Sequence, residues 1–158
     1  MTHTPLEGCY SCESANETKG LVLSTPRHRL VIVQDQLYLG RAALIAQRHV
    51  PLMSDLTISE EVDWRAILKR YERVCIEVFG ATYLTEATLM NNAYAKPEPK
   101  PHFHSHLRPR YSKPVEFAGV MFEDPNFGQH HLHGPENVRV VGDEVVEEIA
   151  SAVRANWA

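Results

Sequence analysis

The stretch Pro101-His102-Phe103-His104-Ser105-His106-Leu107-Arg108 decides the reading of this chain. It sets three imidazoles at alternate positions. Alternate side chains of an extended strand share a face and lie roughly 6.5–7 Å apart along it, so the spacing predicts a row of titratable rings on one side of a sheet. Two blander readings fit the same residues: the solvated polar face of an edge strand, or a nonspecific metal-binding tract. A neutral imidazole serves equally as nucleophile, ligand or proton carrier.

Outward from that row, Pro97, Pro99 and Pro101 exclude regular sheet from the loop Asn92–Pro101, because proline donates no backbone hydrogen bond. Tyr83–Asn91 reads as a strand entering this loop, and Val115–Phe122 as another strand beyond the histidines. Thr57-Ile58-Ser59-Glu60 has the form of a capping box. Ile67, Tyr71, Val74, Cys75 and Val78 then recur at helical spacing and Gly80 supplies the stop, which predicts a helix near residues 60–79. Cys75 falls on its apolar face as a small buried hydrophobe. Arg29–Gln34 and Leu37–Gln47 are β-like, with Asp35-Gln36 as a tight hairpin turn and Gly40 marking a bulge or the true start of the second strand. Asp143–Arg154 is helical, with Val145, Val146, Ile149, Ala150 and Val153 on one side. A long helix set between antiparallel-capable strands is an α+β pattern. With no internal repeat and no long linker, one domain over residues 1–158 is expected.

Composition narrows the function. The 158 residues carry a formal net charge of −4, with 44% hydrophobic and 23% charged residues. That balance argues against a dedicated nucleic-acid binder, which presents a basic face. No apolar run is long enough to span a membrane, and Met1-Thr2-His3-Thr4-Pro5 lacks the basic-then-apolar pattern of a secretory signal, so a cytoplasmic location is expected. Three cysteines are too few for a disulfide framework. In a reducing compartment the pair Cys9-Tyr10-Ser11-Cys12 reads as metal-binding or redox-active.

The alternating histidines resemble the signature of the histidine-triad (HIT) family. Leu107-Arg108-Pro109-Arg110-Tyr111 looks like the family's continuation of the triad strand, and Leu44-Ile45-Ala46-Gln47-Arg48-His49-Val50 is similar to its strand ending in a basic residue and histidine. Cys9 and Cys12 match the N-terminal Cys-x-x-Cys of the zinc-bearing branch. The resemblance covers residues 9–111, with 112–158 as a C-terminal extension. It implies an antiparallel sheet of about five strands, one long helix and a C-terminal helix, assembled as a homodimer. It also implies the roles. His104 would attack the α-phosphorus of a nucleotide and form a nucleotidyl-histidine intermediate, its other ring nitrogen held by a backbone carbonyl of the triad strand. His106 would contact phosphate oxygens or assist the leaving group, beside His102. Asn91 would contact the nucleotide, and Arg41, read from the residue itself, is either a contact to an anionic phosphate or a surface arginine. Cys9, Cys12, His49 and His102 would hold a structural zinc with no open coordination position.

The chain also departs from the family. Lys96-Pro97-Glu98-Pro99-Lys100-Pro101 stands where most members carry a glycine-rich phosphate loop, and Lys96 and Lys100 read as solvated. Arg41 replaces the usual histidine after Gly40, Asp35 is out of register as a ribose-binding acid, and Ser105 replaces an apolar spacer, as suits a strand with one less buried face. Gln129-His130-His131-Leu132-His133 reads as a polar surface loop, and Trp157 is placed at a dimer interface. The expected activity is cleavage of a phosphoramidate or phosphoanhydride at the α-phosphorus. Nucleotidyl transfer is the alternative within catalysis, although related transferases end the motif with Gln where His106 stands. A non-catalytic zinc or nucleotide-binding module is the alternative outside it.

Overall fold

A computed structural model describes residues 5–132 and 136–157; residues 1–4, His133 and the side chain of Asn91 lie outside the described residues. In chain order the elements are α1 (Tyr10–Glu13), β1 (Leu21–Ser24), β2 (His28–Ile32), β3 (Ala42–Ala46), α2 (Ile58–Phe79), β4 (Tyr83–Ala87), α3 (Asn91–Tyr94), β5 (His104–Arg110), β6 (Val115–Phe117), β7 (Val120–Phe122) and α4 (Asp143–Ala155). Five strands form one antiparallel sheet in the order β1-β2-β3-β5-β4, so the triad strand is an inner strand with β3 and β4 as neighbours.

One face of that sheet carries the core. Leu30, Leu44 and Leu107 are fully buried together with Tyr71, Val74 and Cys75 of α2. Helix α2 starts where its sequence demands: the Thr57 side chain accepts from the Glu60 backbone N–H, and the Glu60 carboxylate accepts in return from the Thr57 N–H. It stops at Gly80, whose φ of 72° is a conformation that costs other residues a clash. Val146, Ile149, Ala150 and Val153 bury one side of α4 in the same core. Trp157 packs there too, half-buried against its own chain, with its carbonyl accepting from Arg70 at 3.1 Å. No helix among the described residues is long and apolar enough to cross a membrane.

Four local expectations are corrected. Asp35-Gln36 makes no tight turn. Residues 33–41 instead wrap around the buried Gln36 amide, which donates to the carbonyls of Val33 and Arg41 and accepts from the Gly40 N–H. Tyr38 and Leu39 are apolar because they plug this end of the core as loop residues, not because they form a strand. The run at 115–122 is a tight hairpin, with Ala118 and Gly119 both at positive φ between Phe117 and Val120. The strand from Tyr83 ends at Ala87, and the chain turns at Met90 (φ 54°) into α3. Ser105 is wholly buried: its hydroxyl donates to Glu86 at 2.8 Å, and Glu86 also accepts from the Trp64 indole. The edge strand β1 has no counterpart in the sequence reading, since four residues are too few for alternation to register.

Glu60 links the cap of α2 to the stretch after β3. Its hydrogen bonds from Arg48, at 2.9 and 3.1 Å, and from Thr57 outweigh its burial and hold the carboxyl at about 2. A carboxyl depressed in the folded state stabilises fully above its unfolded pKa, and that contribution fades as pH falls through the folded value. Stability is therefore expected to decline between about pH 4.5 and pH 2 partly on this account. Urea unfolding of Glu60→Gln should show a shallower acid decline over that window; an unchanged slope refutes the assignment.

Candidate active site and metal cluster

Alternation along β5 sorts its side chains. Ser105 and Leu107 enter the core, while His104, His106, Arg108 and Arg110 share the opposite face. The neighbouring strands keep that face low around the rings: Ala43 of β3 and Ala87 of β4 both pair with His106. The His104 and His106 rings meet edge to face with centroids 4.9 Å apart. His104 Nδ1 lies 2.8 Å from the carbonyl oxygen of His102. A carbonyl only accepts, so Nδ1 carries the proton and the lone pair sits on Nε2, which has no hydrogen-bond partner among the described residues.

His102 precedes the strand, and its ring turns to other work. Nε2 donates to the Ala46 carbonyl at 2.8 Å, which puts the lone pair on Nδ1. That atom lies 3.4 Å from Cys9 Sγ, 3.5 Å from Cys12 Sγ and 3.3 Å from His49 Nδ1, and Cys12 Sγ is 3.5 Å from His49 Nδ1. A tetrahedral ion with bonds of about 2.0–2.3 Å needs donor separations of roughly 3.3–3.8 Å. These four separations meet that requirement, and all four ligand atoms lie within 4.8 Å of one another. Burial raises the Cys12 thiol above its ordinary value and lowers His102 to about 4. A bound divalent cation would therefore displace thiol protons while finding the His102 imidazole already neutral.

The N-terminal segment that supplies the cysteines is fastened from two sides. Buried Arg29 of β2 donates to the carbonyls of Ser11 and Ser14, and Lys100 Nζ donates to the Glu7 carbonyl at 2.7 Å. Lys100 is thus a half-exposed tether rather than a free surface lysine.

At the other end of the imidazole row, Arg41 pairs with Asp35, and buried Arg110 pairs with buried Asp124. Arg110 also donates to the carbonyls of Asn126 and Gln129, which draws the segment after β7 over the sheet. On that segment Gln129 and His130 are exposed, while His131 is half-buried and close enough to act electrostatically on His106. Arg108 lies between, buried. Burial above all, then the neighbouring His104, Arg108 and Arg41, hold the His106 ring down at about 3. Arg108 is not among the site residues singled out from the sequence; the period of two, continued past His106, reaches it. A cavity of about 400 Å³ lined by Met53, Trp64, Glu86 and Phe103 lies on the helix side of the sheet, away from these groups.

No protein-family model and no curated protein matches the sequence. Solved structures do. A histidine-triad protein from Sinorhizobium meliloti aligns over 86% of this chain and 87% of its own, with a TM-score of 0.65 at 14% identity. The chain has the histidine-triad fold. A Zn-bound histidine-triad family protein from Mycobacterium smegmatis matches 90% of this chain and 88% of its own (TM-score 0.54, 15% identity). The Plasmodium falciparum diadenosine triphosphate hydrolase matches 88% and 76% (TM-score 0.61, 16% identity). At such identities the likeness is one of fold.

Because the folded protein holds His106 far below the ordinary imidazole value, the ring should stay neutral well into acid. The sign is that of a depressed base: the folded state keeps its full stability above about pH 6.5 and loses some as pH falls from there toward 3. Nitrogen-15 NMR of the imidazoles should show His106 still neutral at about pH 5, where a free imidazole is mostly charged. A midpoint near 6.5 for that ring contradicts the site as described.

Proposed function

We propose that this chain is a nucleotide hydrolase that cleaves a phosphoramidate or phosphoanhydride at the α-phosphorus, with His104 as nucleophile. The observation that carries the reading is the His104 ring itself. Its Nδ1–H is tied to the His102 carbonyl, and its Nε2 lone pair stands free above a floor of alanines. A neutral, oriented lone pair is what covalent catalysis requires of a nucleophile.

The steps balance. Nε2 forms a bond to phosphorus as the bond to the leaving nitrogen or oxygen breaks, and the leaving group takes the electron pair and a proton from solvent. Nδ1–H keeps its hydrogen bond to the His102 carbonyl, which stabilises the ring as it becomes a positively charged phosphoimidazole. Water then attacks phosphorus and gives up a proton to solvent, the N–P bond breaks back to Nε2, and the nucleoside monophosphate leaves. His106, neutral across the physiological range, donates a hydrogen bond to a phosphate oxygen and is not an acid catalyst. Asn91, at the start of α3, and Arg41 are the nucleotide contacts of this reading.

Cys9, Cys12, His49 and His102 would hold zinc, whose chemistry here is structural: two thiolates and two imidazoles complete its shell and leave no position for substrate. Hydrolysis is preferred over transfer because His106 ends the row where transferases of this resemblance carry Gln.

His104→Gly should lower kcat against fluorogenic adenosine phosphoramidates and diadenosine polyphosphates by at least about 10³-fold, with an acid-labile adduct on His104 trapped in the parent protein. Retained turnover in the variant ends the proposal. Cobalt(II) added to metal-free protein should give a tetrahedral thiolate spectrum, and Cys12→Ser should weaken binding by at least about 10-fold.

A further inference from the structure

Arg108 follows His106 by two positions on β5 and extends the row of rings by one strand repeat. Its residue is 2% exposed, yet Nε and Nη1 have no hydrogen-bond partner among the described residues. A buried guanidinium left in that condition is destabilising, because it has lost its water and gained nothing in return. The acids at this end of the sheet are taken: Asp35 pairs with Arg41, and Asp124 with Arg110. Arg41 Nε is likewise buried and unpartnered, and β3 places Arg41 beside Arg108, since Ala42 pairs with Leu107. Two arginines and His106 thus converge on one point with too little negative charge among them. Burial and Arg41 pull the Arg108 guanidinium down to about 10, a value at which it is still charged.

We propose that Arg108, backed by Arg41, receives a second phosphate group of the substrate, one strand repeat beyond His106 on the side away from the nucleophile His104. This assignment rests on the hydrolase reading and narrows its substrate to nucleotides carrying more than one phosphate. A guanidinium matches a phosphate through parallel hydrogen bonds from its planar fork. Pro97, Pro99 and Pro101 withhold backbone donors from the preceding loop, so the charge that binds phosphate has to come from side chains. A merely structural arginine would have found a carboxylate or carbonyl. The second phosphate can belong to a polyphosphate chain or to the ribose; the chemistry at Arg108 is the same.

The test is calorimetric binding of inorganic tripolyphosphate, adenosine 3′,5′-bisphosphate and AMP to the parent protein and to Arg108→Leu. The parent should bind one of the two multiply charged probes more tightly than AMP. Arg108→Leu should weaken that probe by about 10–100-fold and shift AMP far less, the range expected for losing hydrogen bonds to a charged group. Arg108→Lys, which keeps the charge without the fork, should fall between. Loss confined to tripolyphosphate assigns the phosphate to a chain; loss confined to the bisphosphate assigns it to the ribose. Thermal unfolding guards against a folding defect: Arg108→Leu should melt no lower than the parent in anion-free buffer, while the bound probe raises the parent's Tm alone. Equal affinities of parent and Arg108→Leu for both probes, or a parent that binds neither better than AMP, overturn the proposal. If the binding loss appears but no nucleotide is ever turned over, the hydrolase reading fails and the subsite stands.

Discussion

The hydrogen bond from His104 Nδ1 to the His102 carbonyl, 2.8 Å long, is the contact on which the rest of the site depends. It fixes the tautomer of His104, and so decides which nitrogen carries a usable lone pair. Its acceptor is no ordinary loop carbonyl. His102 is held through both nitrogens of its ring, one on the Ala46 carbonyl and one among two thiols and a second imidazole. Sheet, cysteine segment and the His104 ring therefore meet in one residue. Arg29 and Lys100, which fasten the cysteine segment, are thereby linked to His104 through the main chain of its neighbour.

Much of this was legible in the sequence because it follows from short-range periodicity. The capping box at Thr57, the glycine stop at residue 80, the apolar side of the C-terminal helix and the two-residue period that joins His104 to His106 encode their outcomes locally, whereas His102 falls before the strand and leaves the row. The four-residue cluster joins distant segments and was reached through the family resemblance rather than through spacing. Misread segments were those in which a tertiary demand outweighs local pattern. Leu37–Gly40 looks like strand because Tyr38 and Leu39 must fill the core; the buried Gln36 amide then takes over the backbone hydrogen bonds that a ladder would have supplied. Ser105 looked like a concession to solvent and is instead a wholly buried donor to Glu86 on the adjacent strand, whose residue is exposed.

The two faces of the sheet divide the labour by chemistry. The helix side is apolar except for the Glu86, Ser105 and Trp64 network and the buried ring of His28, which meets Trp64 edge to face. The opposite side carries histidines and arginines whose needs are met unevenly: Arg110 is saturated by Asp124 and two carbonyls, whereas Arg108 a single repeat away is not. Two arginines so close on one strand in such different states argue that the difference is a property of the site and not of the strand.

The separation in sequence between the cysteines and His102 has a mechanical consequence. Cys9 and His102 are 93 positions apart and touch in the folded protein. A cation bridging them would close a ring through most of the chain. Because the entropy of ring closure grows only with the logarithm of ring size, so wide a loop restrains the disordered chain by several kcal/mol, about as much as a disulfide of the same span, for as long as the bridge survives unfolding. The same four side chains would then act as a reversible cross-link that needs no oxidation, fastened or released by metal supply.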